Sequence, residues 1–78
     1  MKEKRVNSLL LRSVAERLIY FRQKRGYTQE NVTDQTGVNI GLIELGRTNI
    51  SITTLIILCN YYEVSLQDFV IGVEYDKE

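Results

Sequence analysis

Side chains that can hydrogen-bond to phosphates or to base edges are concentrated in the middle of the chain. Arginine bonds phosphates and guanine edges, whereas asparagine and glutamine pair with adenine edges. The same side chains are common on exposed helices and polar loops, so their meaning depends on the elements that position them. Asn31 and Gln35 are of this kind, and the candidate contacts among them are Thr28, Gln29, Asn39, Arg47, Thr48 and Asn49.

Catalytic and metal-binding side chains are scarce. The 78 residues include one cysteine, Cys59, and no histidine. A histidine-containing nucleophile system, an ordinary zinc site and an intrachain disulfide are therefore excluded. We expect no enzyme activity, cofactor, metal or small-molecule substrate, and a reducing cytoplasmic location. The apolar runs are too short to span a bilayer, so no membrane association is expected.

Charge is divided along the chain, although the net charge is zero. Residues 1–28 carry eight basic and two acidic side chains, and residues 29–78 carry two basic and eight acidic ones. The positive half could face the phosphates of a nucleic acid. Alternatively, separation along the sequence need not become separation in space.

The N-terminal third predicts an arm followed by a helix. Ser13 and Glu16 have the spacing of a capping box, which places the helix start at Ser13. Apolar residues recur on one helical face as far as Phe21, and Gly26 ends the helix. The apolar run 9–11 either extends this helix upstream or forms a separate segment. The predicted division is an arm over 1–12, one domain over 13–70 and a tail over 71–78.

Shorter helices are predicted beyond Gly26. Thr28, Asn39 and Ser65 are suitable N-caps, and Gly37 and Gly46 are suitable terminators. Segment 70–75 could form a short strand. The sequence therefore predicts an all-α domain of five helices with a possible short C-terminal strand. The four later helices are predicted over 29–36, 40–45, 51 or 53 to 62, and 66–70.

Two short helices joined by a glycine-containing turn are typical of a helix-turn-helix unit, whose second helix enters the major groove. From about residue 14 to 69, the order of motifs resembles the Xre family of helix-turn-helix regulators, which includes the phage repressors and Cro proteins. This resemblance implies a lambda-repressor-like fold. The matching residues are Arg22, Thr28-Gln29, Gly37-Val38, the segments 40–46 and 51–55, and the closing stretch 62–69.

The resemblance also implies roles for individual residues. Arg22 and Glu44 should pair and tie the first helix to the end of the third. Gln29 should bond a phosphate or a base edge, and the loop residues 47–49 should meet phosphates. Cys59 stands where the family has a small buried residue. The predicted DNA-facing set is Thr28, Gln29, Asn39, Gly41, Leu42, Arg47, Thr48 and Asn49.

The third predicted helix departs from the family pattern. About one helical turn is missing between Gly37 and Glu44. Gly41 weakens what remains. Leu42 and Leu45 occupy outward positions where polar or basic residues are usual, unless the shortened helix is rotated and buries them. Outward leucines are more typical of an interaction patch than of a groove-binding helix.

Two functions follow as hypotheses. The first is a DNA-binding transcriptional regulator, a homodimer on two half-sites about 34 Å apart. Its phosphate affinity would come from the basic first helix, the arm and Arg47, and its sequence readout from Gln29 and Asn39. In this hypothesis the 70–75 tail could pair with its twin across the two-fold axis. The second is a protein-interaction module that keeps the helix-turn-helix scaffold and has weakened or lost DNA binding.

Overall fold

Residues 6–77, which the computed structural model describes, form five helices and no strand. The predicted all-α, five-helix class is confirmed. The possible strand over 70–75 is not formed, because this segment ends the last helix and continues as a turn and an irregular tail. No helix within these residues has the length and apolar character needed to cross a membrane. The helices are α1 (Ser8–Lys24), α2 (Gln29–Thr36), α3 (Ile40–Ile43), α4 (Ile52–Tyr62) and α5 (Leu66–Val70).

Helix α1 begins upstream of its predicted start. Asn7 is the N-cap, and its Oδ1 accepts a hydrogen bond from the backbone N–H of Leu10 at 3.1 Å. The prediction that Ser13 caps this helix is wrong, since Ser13 lies inside α1 and is buried. The longer helix is favoured because it buries Leu11, which is 7% exposed. Residues 8–12 of the predicted arm are thus helical, and residues 1–5 lie outside the described part of the chain.

The other helices begin at side-chain caps. Thr28, Asn39, Ser51 and Ser65 each accept a hydrogen bond from the backbone N–H three residues further along. Such caps satisfy amide groups that have no partner within the helix. Helix α3 ends at Ile43 rather than at the predicted Leu45, and a tight turn follows it.

A single core lies between the five helices. Each helix contributes at least one side chain with no exposed surface: Leu18, Val32, Ile40, Leu58 and Phe69. Complete burial of one such side chain contributes about 1.5–3 kcal/mol relative to leaving it in water. Even the four-residue α3 is therefore fixed in rotation, because Ile40 holds its inner face.

Cys59 also belongs to the core, as the sequence predicts. It is 2% exposed, and burial raises the pKa of its thiol. A buried thiol with a raised pKa is a poor nucleophile, because the thiolate is the reactive form.

The C-terminal tail packs along the first half of α1. The backbone N–H of Glu74 donates to Oγ of Ser13 at 2.8 Å. Asn7 bonds the backbone of Asp76 twice: its Oδ1 accepts from the N–H, and its Nδ2 donates to the carbonyl oxygen, both at 2.9 Å. Asn7 therefore caps α1 and anchors the tail at once.

Candidate nucleic-acid interface

Helices α2 and α3 are joined by a three-residue turn over 37–39, and threonine hydroxyls fix its geometry. Gly37 adopts a left-handed φ of 76°, a conformation that costs other residues strain. Oγ1 of Thr36 accepts from the N–H of Val38 at 3.1 Å, and Oγ1 of Thr33 accepts from the N–H of Ile40 at 3.4 Å. The orientation of α3 against α2 is thus set by polar contacts as well as by packing.

Helix α3 presents an apolar outer face. Ile40 is fully buried and Ile43 packs against the core, whereas Leu42 is 51% exposed and Leu45, in the following turn, is 62% exposed. The alternative that a rotated helix buries these leucines is therefore wrong. Leu42 faces outward, as the sequence predicts.

An ion pair lies beneath α3. Nε and Nη2 of Arg22 donate to the two carboxylate oxygens of Glu44 at 2.7 and 3.0 Å, in a bidentate arrangement. Nη1 of Arg22 also donates to the carbonyl oxygen of Tyr27 at 2.9 Å. The two charged side chains are only 12% and 4% exposed. The hydrogen bonds to Glu44 raise the pKa of Arg22, although partial desolvation opposes this. The pair ties α1 to the end of α3.

Gln29 joins this network from the first position of α2. Its Nε2 donates to Oε1 of Glu44 at 2.7 Å. Its Oε1 lies beside Gly41, 3.5 Å from the position that a Cβ there would take. One N–H of the Gln29 amide is therefore engaged, and because Gln29 is exposed, its second N–H and its oxygen remain for an external partner.

Asn39 and Thr28 use their oxygens in capping. Oδ1 of Asn39 accepts from the N–H of Leu42, and Oγ1 of Thr28 accepts from the N–H of Asn31. The Nδ2 group of Asn39 makes no hydrogen bond within residues 6–77. Because Asn39 is exposed, this amide is available as a donor next to Leu42.

The loop after α3 carries Arg47, Thr48 and Asn49, of which Arg47 and Asn49 are exposed. Arg47 lies beside Arg12 of α1, and both line an open cleft of about 370 Å³ with Leu45. Gly46 allows this approach, since a Cβ there would lie 3.4 Å from Cα of Arg12. No local motif in the sequence marks Arg12, because its proximity to Arg47 arises from the packing of the loop on α1.

Two further arginines of the basic segment, in α1 and at its C-cap, bond carbonyl oxygens within the fold. Arg17 donates to the carbonyl oxygens of Asp68 and Phe69 at 2.7 and 2.9 Å, and Arg25 donates to the carbonyl oxygen of Tyr62 at 2.8 Å. These contacts satisfy carbonyls at the ends of α4 and α5 that have no helical partner. Arg12, by contrast, is exposed beside the α3–α4 loop.

The predicted site residues fall into two groups. Thr28, Gln29, Asn39, Gly41 and Leu42 form one surface at the start of α2 and along α3, which we call the α2–α3 surface. Arg47, Thr48 and Asn49 lie in the loop that follows, with Arg12 beside Arg47.

Comparison with known proteins supports this architecture. A family model described as "Helix-turn-helix" matches residues 18–69, which is two thirds of the chain and spans α2, α3 and α4 entirely. No match was found among curated proteins. With the matched segment, the five-helix order and the turn at Gly37 in agreement, the chain belongs to the Xre-like family of helix-turn-helix domains, of the lambda-repressor and Cro type.

Proposed function

We propose that this protein is a sequence-specific, double-stranded-DNA-binding transcriptional regulator. Membership of the helix-turn-helix family supports DNA binding, because the second helix of such units enters the major groove. The observation that carries the proposal is the position of α3. It is held outward by the turn at Gly37 and by the Arg22–Glu44 pair, with its outer face uncovered within residues 6–77.

Cations at one end of this surface support phosphate binding. Arg47 makes no ion pair or hydrogen bond within the described part of the chain, and neither does Arg12 beside it. In this proposal Arg12 and Arg47 contact one stretch of the backbone and fix the register. The α2–α3 surface then meets the bases.

The salt dependence of DNA affinity tests this function. Replacement of one phosphate-contacting cation reduces the slope of log affinity against log salt by about 1. We expect Arg47→Gln and Arg12→Gln each to show this change. Lys24→Gln is the matched control, because Lys24 lies over the Tyr20 ring at 5.8 Å, on the side of α1 that carries Arg17. Failure to bind any duplex at low salt, or slopes that stay unchanged in both arginine variants, contradicts the proposal.

We further propose that the protein acts as a homodimer through the end of α5. Val70 is 47% exposed and Ile71 is 69% exposed, which leaves an apolar ridge at this end of the domain. Strand pairing between two tails has limited support, because the backbone N–H groups of Glu74 and Asp76 already bond to α1. Packing of Val70 and Ile71 against the same side chains of a second copy leaves the bonds between the tail and α1 intact.

Light scattering tests the dimer. Ile71→Ser removes the most exposed apolar side chain without disturbing the tail anchors, and we expect it to convert a dimer into a monomer. Ile52→Ser is the control, because Ile52 is similarly exposed, at 67%, at the start of α4. A monomeric mass for the unmodified protein, or a dimeric mass that Ile71→Ser does not change, rejects this interface.

The second candidate function is a protein-interaction module. The exposure of Leu42 and Leu45 favours it, since exposed apolar patches mark protein interfaces. Under this function the α2–α3 surface is covered by another protein and duplex DNA is not bound. Binding of random-sequence duplex at low salt separates the two functions: affinity that weakens steeply with salt supports DNA binding, and its absence at micromolar protein supports the protein module.

A further inference from the structure

Several polar groups of the α2–α3 surface are engaged within the fold. One N–H of the Gln29 amide is bonded to Glu44, whose side chain is buried in the ion pair with Arg22. Oδ1 of Asn39 is used as a helix cap. Along α3 itself, from residue 39 to 43, the remaining outward groups are Nδ2 of Asn39 and the side chain of Leu42.

Leu42 projects from the short helix at a position that its neighbours fix. Ile40 is buried completely and Ile43 packs on the core, so Leu42 cannot turn inward without displacing them. Only half of its surface is covered by the protein. An aliphatic side chain in this position gains free energy only by meeting another apolar group.

The major groove offers one such group. Each base pair presents a set of donors and acceptors there, and only thymine adds a methyl group, at C5. Leucine placed against the polar edge of another base leaves that edge desolvated without a hydrogen bond, which is unfavourable. The two effects favour thymine opposite Leu42 and disfavour the other bases.

Building on the DNA-binding function proposed above, we propose that Leu42 recognises the C5-methyl group of a thymine. Leu42 is then a specificity-determining residue, and the target half-site contains a thymine where α3 lies in the groove. Asn39 caps α3 next to Leu42. Its Nδ2 group can donate to a neighbouring acceptor in the groove, such as thymine O4. Leu45 has a different role, because it lines the cleft beside Leu11 and Arg12.

Replacement of thymine by deoxyuridine tests the proposal directly, since it removes only the methyl group. A duplex selected by the protein from a random pool is synthesised with each thymine replaced in turn, and affinities are measured by fluorescence anisotropy. We expect one replacement per half-site to weaken binding about fourfold, the effect of one lost buried methyl group. Leu42→Ala should bind the selected duplex and the derivative that weakens wild-type binding with equal affinity.

Ile57→Ala serves as the matched variant, because Ile57 is a 40% exposed aliphatic side chain on α4, outside the α2–α3 surface. It should keep the wild-type preference for thymine. Thermal melting verifies that both variants are folded. We expect both to fold, because neither Leu42 nor Ile57 is fully buried. Duplex binding that is insensitive to every replacement, or a preference for thymine that persists in Leu42→Ala, overturns the role of Leu42 and leaves the DNA-binding function standing. Absence of duplex binding overturns both.

Discussion

The Arg22 guanidinium and the Glu44 carboxylate form a bidentate ion pair, with contacts of 2.7 and 3.0 Å, that is almost closed to solvent. The pair joins α1 to the C-cap residue of α3, and Gln29 of α2 is bonded to the same carboxylate. One carboxylate therefore links three helices, in addition to their shared core.

Glu44→Gln should destabilise the domain by about 2–3 kcal/mol, because Arg22 keeps its charge in a desolvated place without a counterion. Urea unfolding measures the change. Glu63→Gln is the control, since its contact with Arg25 is 3.7 Å long and 70% of the Glu63 side chain is exposed. That change should cost less than about 1 kcal/mol. Equal losses in the two variants contradict a special role for the buried pair.

Tyr62 is buried in the core with its hydroxyl unpaired. Its OH has no hydrogen-bond partner within residues 6–77, although the side chain is only 1% exposed. A buried polar group without a partner lowers stability by about 1–3 kcal/mol. Tyr62→Phe removes this group and should therefore increase the free energy of unfolding at pH 7 by about 1 kcal/mol or more. A clear loss in urea unfolding argues for a hydrogen bond to this hydroxyl.

The same hydroxyl predicts a dependence on alkaline pH. Burial, aided by the neighbouring Glu44 carboxylate, raises the pKa of Tyr62 above its ordinary value of 10.0. A raised folded-state pKa gives stability that is present below the unfolded pKa and is lost as the pH rises above it. Above pH 10 the contribution of Tyr62 should fall by about 1.4 kcal/mol per pH unit.

Tyr62→Phe isolates this contribution. Its unfolding free energy should decline less steeply than that of the unmodified protein between about pH 10 and 11. Cys59, whose pKa burial also raises, contributes to the alkaline decline in both proteins and cancels in the difference. Parallel pH profiles for the two proteins contradict the assignment to Tyr62.

Local chemistry explains why most helices could be predicted from the sequence. Thr28, Asn39 and Ser65 are strong caps beside apolar residues, and Gly37 can adopt the left-handed backbone at little cost. The start of α1 was mispredicted because two caps compete, Asn7 and Ser13. The choice between them depends on burial of Leu11 and on the tail at Glu74, which are contacts between distant parts of the chain.

The candidate site was less predictable for the same reason. Individual positions such as Gln29 and Leu42 are identified from their order along the chain. The bond from Gln29 to Glu44 and the proximity of Arg12 to Arg47 exist only after α1, α2 and the loop have packed together. Sequence patterns give residue types, whereas the availability of a donor depends on its folded neighbours.

Two glycines near the turn should respond oppositely to alanine. Gly41 lies in α3 without a positive φ, and a Cβ there would make only ordinary contacts, the nearest at 3.5 Å. Gly41→Ala should therefore stabilise the domain by about 0.5–1 kcal/mol through helix propensity. Gly37→Ala meets no atom but must adopt a φ of 76°, so it should destabilise by about 1–2 kcal/mol.

Thermal melting separates the two glycines, since 1 kcal/mol shifts the Tm of a domain of this size by about 4–8 °C. The Tm should rise for Gly41→Ala and fall for Gly37→Ala. A fall for both variants argues that α3 needs glycine at 41 for a reason other than helix propensity.

Asn7 holds the start of α1 and the tail through three hydrogen bonds, and each kind of contact can be removed separately. Asn7→Ala loses the cap and both bonds to Asp76, and should destabilise by about 2 kcal/mol. Asn7→Asp keeps the oxygen that accepts from Leu10 and Asp76, but it replaces the Nδ2 donor by an acceptor that faces the Asp76 carbonyl oxygen, so it should cost about 1 kcal/mol. Urea unfolding gives both values.

Hydrogen exchange at the Asp76 amide adds a local measure, with protection lost in Asn7→Ala and retained in Asn7→Asp. Equal protection in both variants means that the tail is held by the packing of Val73 on the core and by the Ser13 bond to Glu74, and that Asn7 acts only as a cap.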